Sequence, residues 1–120
     1  MARSLVVKVT HALDDPERAH IACNVAAVAA ASGVEVAVFL AIEGVHLAQP
    51  DVPAQLVVAE APPIGDLLDA LYAAGTVTVC TPCATRRGLG AGDFRPQTRL
   101  AGSAAFVELA TADGATALVY

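Results

Sequence analysis

Two cysteines and two arginines stand close together in the stretch VTVCTPCATRRGLG, which covers residues 77–90. An apolar run ends at Cys80, and Cys83, Arg86 and Arg87 follow in a predicted helix. Positive charge and the free N–H groups at a helix start both favour the thiolate, which is the reactive form of cysteine. We therefore expect at least one of the two cysteines to be functional, rather than a small buried residue without chemistry.

A metal site and a redox site are two alternatives for the cysteine pair. A structural zinc site commonly needs two ligand pairs. This sequence has one C-x-x-C, with Cys23 alone in a predicted helix and no ligand-like spacing among its 3 histidines, so we predict no metal. The order of strand, CTPC and helix suits a thiol–disulfide redox protein. A thioredoxin-like fold, however, places this motif after an early strand, whereas here it follows the third predicted strand.

The elements that position these residues are predicted to alternate between strands and helices. Short valine-rich runs predict strands at Ser4–Val9, Val34–Ala41, Thr76–Cys80 and Ala115–Val119. Helical spacing predicts helices from the Asp14 cap to Gly33, at Ile64–Ala74, from Thr81 to Gly88 and at Ser103–Ala112. Helices that connect successive strands indicate an α/β sandwich around a mostly parallel sheet of about four or five strands.

The first helix is predicted to bury a stripe made of Ile21, Val25 and Val28, which recur at helical spacing. That orientation turns His20 toward solvent or an interface. It leaves Cys23 as a core residue, because an unreactive cysteine behaves as a small hydrophobe.

Three chemically capable residues follow or end the predicted strands. His11 follows the first strand, Glu43 follows the second, and Cys80 ends the third. Ligands of parallel sheets bind at the carboxyl ends of the strands, so we expect these three side chains along one edge of the sheet. His46 lies near Glu43 in the sequence and is a further candidate for the same pocket.

Composition and charge limit the classes of partner. The chain has 120 residues, which fits a single domain over residues 1–120. Its 7 basic and 12 acidic residues give a formal net charge of −5. A protein that binds nucleic acid or an anionic membrane needs a basic face, so we expect neither as a partner. No apolar run reaches the roughly 20 residues of a membrane span, and 3 cysteines do not make a disulfide framework. We therefore expect a cytoplasmic protein with reduced thiols.

The segment from Cys80 through five residues to Arg86, Arg87 and Gly88 resembles the C-x5-R-R-G segment of the DsrE/DsrF-like sulfur-relay family, including its TusD-like members. The C-x-x-C at the same place is similar to the YchN branch of that family. The turn LAIEGV at residues 40–45 also fits the family pattern. The resemblance implies a single domain with a three-layer α/β/α flavodoxin-like fold.

The resemblance also implies an activity and partners. The reactive cysteine of the family maps onto Cys80, which would accept sulfane sulfur as a persulfide from a donor protein and pass it to an acceptor protein. The family further implies a homo-oligomer, typically a trimer or hexamer, and no cofactor. Arg86 and Arg87 would then stabilise the thiolate or dock a partner. Cys83 departs from the relay subunits and would be a resolving or supporting thiol.

Two other functions remain open from the residues. The first is a thiol–disulfide redox or sensor protein that cycles a disulfide between Cys80 and Cys83. The second is a non-catalytic module that binds a small ligand or a subunit on the same fold. Whether the chain is an enzyme, such as a sulfurtransferase, is open as well.

Overall fold

A five-stranded sheet forms the centre of the computed structural model, which describes residues 3–120. The strands are β1 (Ser4–Val9), β2 (Glu35–Leu40), β3 (Thr76–Cys80), β4 (Arg99–Ala101) and β5 (Ala115–Val119). The helices are α1 (Pro16–Ala31), α2 (Ile64–Ala74), α3 (Thr81–Arg86) and α4 (Ser103–Ala110), with short 3₁₀ helices at Ile42–Ala48, Pro53–Gln55 and Ala91–Asp93. The first 3₁₀ helix is called the 42–48 segment below. None of the helices in the described part of the chain is both long and apolar enough to cross a membrane.

The strands lie in the order β4-β3-β2-β1-β5, and every neighbouring pair is parallel. Crossovers between parallel strands are right-handed, so α1, α2 and α3 cover one face of the sheet. The connection through α4 runs in the opposite direction and covers the other face, where the Phe106 ring lies 5.5 Å from the Phe39 ring between centroids. The predicted α/β architecture with a mostly parallel sheet is confirmed. The three-residue strand β4 was not predicted, because it is too short to show a periodic pattern.

The core lies between the sheet and the helices α1 and α2. The central strands are rich in valine, and Val7, Val38 and Val77 are register partners that are almost completely buried. β-Branched residues suit strands that are covered on both faces. Burial of one such side chain contributes roughly 1.5–3 kcal/mol, so this row fixes the relative height of the three strands and hence of their carboxyl ends.

Helix α1 presents a different face to the core from the one predicted. Its buried residues are Ala19, His20, Ala22, Cys23 and Ala26. Ile21 and Val28 of the predicted stripe are instead 46% and 58% exposed. Small side chains let α1 approach the sheet closely, and α1 is apolar on nearly all sides, so apolar spacing alone did not distinguish its two faces. The N-cap is Asp15 rather than Asp14.

His20 is buried, so the prediction that it faces solvent or an interface is wrong. Its Nε2 lies 2.7 Å from the Pro62 carbonyl oxygen. A carbonyl oxygen can only accept, so Nε2 carries the proton and donates it. The bond satisfies an imidazole that would otherwise be buried without a partner, and it ties α1 to the chain that enters α2.

Candidate thiol site at the carboxyl edge of the sheet

Cys80 and Cys83 lie side by side where β3 passes into α3. Cys80 is the last residue of β3 and the N-cap of α3, and Cys83 lies in the first turn of that helix, which Pro82 helps to start. The two thiols are close enough to share a hydrogen bond, and both are free. Cys80 is 6% exposed and Cys83 is 7% exposed, so each lies just below the protein surface.

The 42–48 segment forms the second wall of the site. It follows β2 directly and contacts both β3 and α3. Gly44 lies so close to the end of β1 that an added Cβ would collide with the Val9 carbonyl oxygen. Only glycine fits such a close approach of two backbones, and this contact fixes the 42–48 segment against the ends of the strands.

Ile42 has an unusual backbone conformation for its residue type. Its φ is 54°, in the left-handed region where a β-branched residue is an outlier, and it is 51% exposed. Such a conformation costs of the order of 1–3 kcal/mol and persists only where the surroundings hold it. Here the Ile42 backbone N–H donates a hydrogen bond to the Cys83 sulfur. The sequence analysis missed this contribution because a backbone group carries no signal in the residue type.

Glu43 and His46 of the 42–48 segment form a polar cluster beside the thiols with Arg87, which lies at the end of α3. Arg87 Nε donates to Glu43 Oε2 at 2.6 Å, and Arg87 Nη1 donates to the Cys83 carbonyl oxygen at 3.1 Å. His46 Nε2 lies 3.7 Å from Glu43 Oε2, and its Nδ1 lies 2.6 Å from Gln49 Oε1. The carboxylate is partly exposed, so these ion pairs contribute little to the free energy of unfolding. They do fix the direction of the Arg87 guanidinium.

The surroundings shift the pKa values of the two thiols in opposite directions. Burial raises the pKa of Cys80, and the hydrogen bond that it shares with Cys83 raises that pKa further. Burial acts in the same direction on Cys83, but hydrogen bonds from the Cys80 thiol and the Ile42 N–H oppose it. The charges of Arg86 and Arg87 act with these bonds, and together they lower the pKa of Cys83 below its ordinary value. Of the two thiols, Cys83 is therefore the one that loses its proton more readily.

His11 lies at the same edge of the sheet but is engaged in its own loop. Strand β1, which it follows, is separated from β3 by β2. Its Nδ1 lies 2.8 Å from Asp14 Oδ2, and the Asp14 carboxylate also accepts the Ala12 N–H. The structure therefore brings Glu43, His46 and Arg87 together beside the thiols, and it uses His11 to order the entry to α1.

The third cysteine differs from the other two. Cys23 is completely buried in α1, and burial raises its pKa to about 12. It therefore stays a neutral thiol at physiological pH, and its prediction as a core residue is confirmed. Among residues 3–120, no three His, Cys, Asp or Glu side chains lie together as a metal-binding group.

The fold and the sequence were compared with known proteins. The chain resembles the ychN protein from E. coli, with a TM-score of 0.78 and 17% identity over 100% of both chains. It also resembles MTH1491, a protein of unknown function from Methanobacterium thermoautotrophicum, with a TM-score of 0.76 and 17% identity over 98% of this chain and 99% of the other. No curated protein matches the chain. The model of the DsrE/DsrF-like family matches residues 3–119, and over this length the match shows that the chain belongs to that family.

Proposed function

We propose that this protein is a sulfur carrier that takes up sulfane sulfur as a persulfide on Cys80. The observation that supports it is the pair of thiols at the carboxyl end of β3 in a chain of a family that is generally associated with sulfur relay. The reaction exchanges sulfur between sulfur atoms, so the protein's own groups suffice for it. The partners are then a donor protein that holds a persulfide and an acceptor protein that receives the sulfur.

The uptake step transfers one sulfur atom from the donor to Cys80. The Cys80 sulfur attacks the sulfane sulfur of the donor persulfide R–S–SH, a new S–S bond forms, and the donor leaves as the thiolate R–S⁻. The Cys80 proton passes along its hydrogen bond to the Cys83 sulfur, which later returns it to water. Once deprotonated, Cys80 is the stronger nucleophile of the pair, because thiolate nucleophilicity falls as the pKa of the thiol falls.

The two arginines have separate roles in this proposal. Arg87, which is held by Glu43 at 2.6 Å, supplies a fixed positive charge beside the pair and favours its anionic forms. Arg86 is exposed at the end of α3, where it adds charge and is available to a negatively charged donor or acceptor. Long-range attraction of this kind increases the rate of protein association.

The proposal is tested by the intact mass of single-cysteine variants after exposure to a persulfide donor, such as a cysteine desulfurase with cysteine. The reduced Cys83→Ser variant should gain one sulfur atom and keep it, because no second thiol of the pair is present to remove it. The Cys80→Ser variant should gain none. Cys23→Ala is the matched control, and it should react like the wild type. Sulfur retained by Cys80→Ser, or by neither variant, would contradict the proposal.

A thiol–disulfide redox function is the second candidate. It is favoured by the contact between the Cys80 and Cys83 sulfurs. A redox protein would form this disulfide reversibly with glutathione disulfide near the potential of the cytosolic glutathione pool. It would take up no sulfur in the single-cysteine experiment, so the same variants separate the two functions.

We also propose that the protein self-associates, as a trimer or hexamer. The support comes from the side of the molecule formed by α4 and β5. Neither element contains a buried residue, although Val107 of α4 is 55% exposed and Val119 of β5 is 63% exposed. A helix and a neighbouring edge strand that both expose apolar side chains are typical of a surface that another subunit covers.

A further inference from the structure

We infer that the thiol pair releases the sulfur it binds: Cys83 attacks the persulfide on Cys80, sulfide leaves, and a disulfide between Cys80 and Cys83 remains. The inference rests on the proposed function, because Cys80 must first take up sulfur. It deepens that function, because the product is free sulfide rather than a persulfide that waits for an acceptor protein.

The first argument is the position of the two sulfurs. Cys80 is the N-cap of α3 and Cys83 lies in the first turn of the same helix, and the two thiols interact with each other, so the attacking sulfur lies next to Cys80. Cys80 has φ −65° and ψ 114°, which places it outside the helical conformation at the helix start. A C-x-x-C in this place can close a disulfide, as such pairs do in thiol oxidoreductases. A persulfide on Cys80 is therefore formed within reach of a second thiol.

The second argument is that the site supports a negative charge on the attacking thiol. The strained backbone of Ile42 points its N–H at the Cys83 sulfur. Arg87 is held by Glu43 and bonded to the Cys83 carbonyl oxygen, so its guanidinium cannot turn away from α3. The Glu43 carboxylate, in turn, is paired with this arginine at 2.6 Å. These contacts lie around Cys83, where the attack begins.

The step balances in atoms and electrons. The Cys83 thiolate forms an S–S bond with the Cys80 sulfur, the bond from that sulfur to the sulfane sulfur breaks, and the sulfane sulfur leaves as HS⁻ with the proton it carried. The sulfane sulfur taken from the donor gains two electrons, and the two thiols lose two as they become a disulfide. One loading therefore yields one sulfide per chain. Further cycles need an external thiol reductant, such as a dithiol, to restore Cys80 and Cys83.

The test measures free sulfide and intact mass in the same sample. Reduced wild type is loaded with glutathione persulfide, the excess donor is removed, and sulfide is trapped with monobromobimane. We expect about one sulfide per chain and a mass that is lower by two hydrogens, in line with the balanced step. The Cys83→Ser variant should keep the added sulfur and release only background sulfide. Cys23→Ala is the control for a lost thiol outside the pair.

The outcomes separate this inference from the proposed function. A wild type that keeps the added sulfur without releasing sulfide would overturn the inference and leave the carrier function intact. A wild type that neither gains sulfur nor loses hydrogens would overturn the carrier function itself. Sulfur retained on Cys80→Ser would mean that the two cysteines exchange roles, which also overturns the inference. The rate of release should rise with pH, because Cys83 attacks as its thiolate, and its midpoint should lie below the ordinary pKa of a cysteine thiol.

Discussion

At the scale of single residues, the three cysteines of the chain lie in three different environments. Cys23 is sealed in the core and has a pKa of about 12. Cys80 and Cys83 share a hydrogen bond, and the surroundings raise the pKa of the first and lower that of the second. The location of the Cys80 and Cys83 pair was predictable from the sequence, because a C-x-x-C and two arginines after a strand are visible in it. The division of charge within the pair was not, because it depends on the Ile42 backbone and on the direction of Arg87.

Site-resolved alkylation tests this division of charge. A substoichiometric amount of iodoacetamide at neutral pH should modify Cys83 first, because only thiolates react and its pKa is lowered. Cys23 should be modified only after unfolding in denaturant. The sites are read by peptide mass spectrometry. Preferential modification of Cys80 in the folded protein would contradict the assignment of the lower pKa to Cys83.

The contribution of Arg87 is tested by its neutral replacement. In Arg87→Gln, the loss of a nearby positive charge should move the pH midpoint of Cys83 alkylation upward. The direction follows because a positive charge favours the thiolate. Arg3→Gln is the matched control, because Arg3 precedes β1 at the opposite edge of the sheet. An unchanged midpoint in Arg87→Gln, or an equal shift in the control, would show that Arg87 does not act on the thiol.

At the scale of elements, the site depends on how the 42–48 segment lies against β1 and α3. Strand β3 was predicted with its observed bounds, because its short apolar run is flanked by Gly75 and by the Thr81-Pro82 pair. The left-handed start of the 42–48 segment at Ile42 arises from tertiary contacts, which local sequence patterns do not contain. The buried face of α1 was predicted wrongly because its alanines make nearly every face apolar. Sequence patterns therefore predicted the position of the thiols at the end of β3, but not how the 42–48 segment packs beside them.

Gly44 provides a direct test of the second wall. Gly44→Ala should lower the free energy of unfolding by about 1–3 kcal/mol, because the new Cβ collides with the Val9 carbonyl oxygen. Gly92→Ala is the matched control, since no heavy atom outside its immediate neighbours lies within 4 Å of the added Cβ. Urea unfolding curves measure both variants. Equal stability of the two variants would show that the 42–48 segment is not fixed by this contact.

At the scale of the whole molecule, the parallel sheet brings the carboxyl ends of β2 and β3 to one edge. The side formed by α4 and β5 contains no buried residue. The α/β architecture was predictable because strand and helix patterns alternate along nearly the whole chain. The strand order was not predictable from local patterns, because it depends on long-range contacts and includes β4, which is only three residues long. The exposed apolar residues of α4 and β5 lie away from the thiol pair, so self-association and sulfur chemistry can be tested separately.

Self-association should be visible in solution and sensitive to this side of the molecule. Size-exclusion chromatography with light scattering should give the mass of a trimer or hexamer for the wild type. Val107→Glu should shift the protein toward smaller species, because a charge cannot be buried in an apolar contact without a partner. Val57→Glu is the control, because Val57 is 81% exposed in the chain before α2 and should leave the mass unchanged. A monomeric wild type would contradict the proposal.

The central claim, that the thiol pair takes up sulfane sulfur, is tested most directly by the intact mass of reduced wild type at short times after mixing with a persulfide. The reaction is quenched with acid over a series of times before the masses are read. We predict that a species with one added sulfur atom appears first and is then replaced by a species that has lost two hydrogens. A mass that stays unchanged throughout, while iodoacetamide still reaches Cys80 and Cys83, would contradict the account.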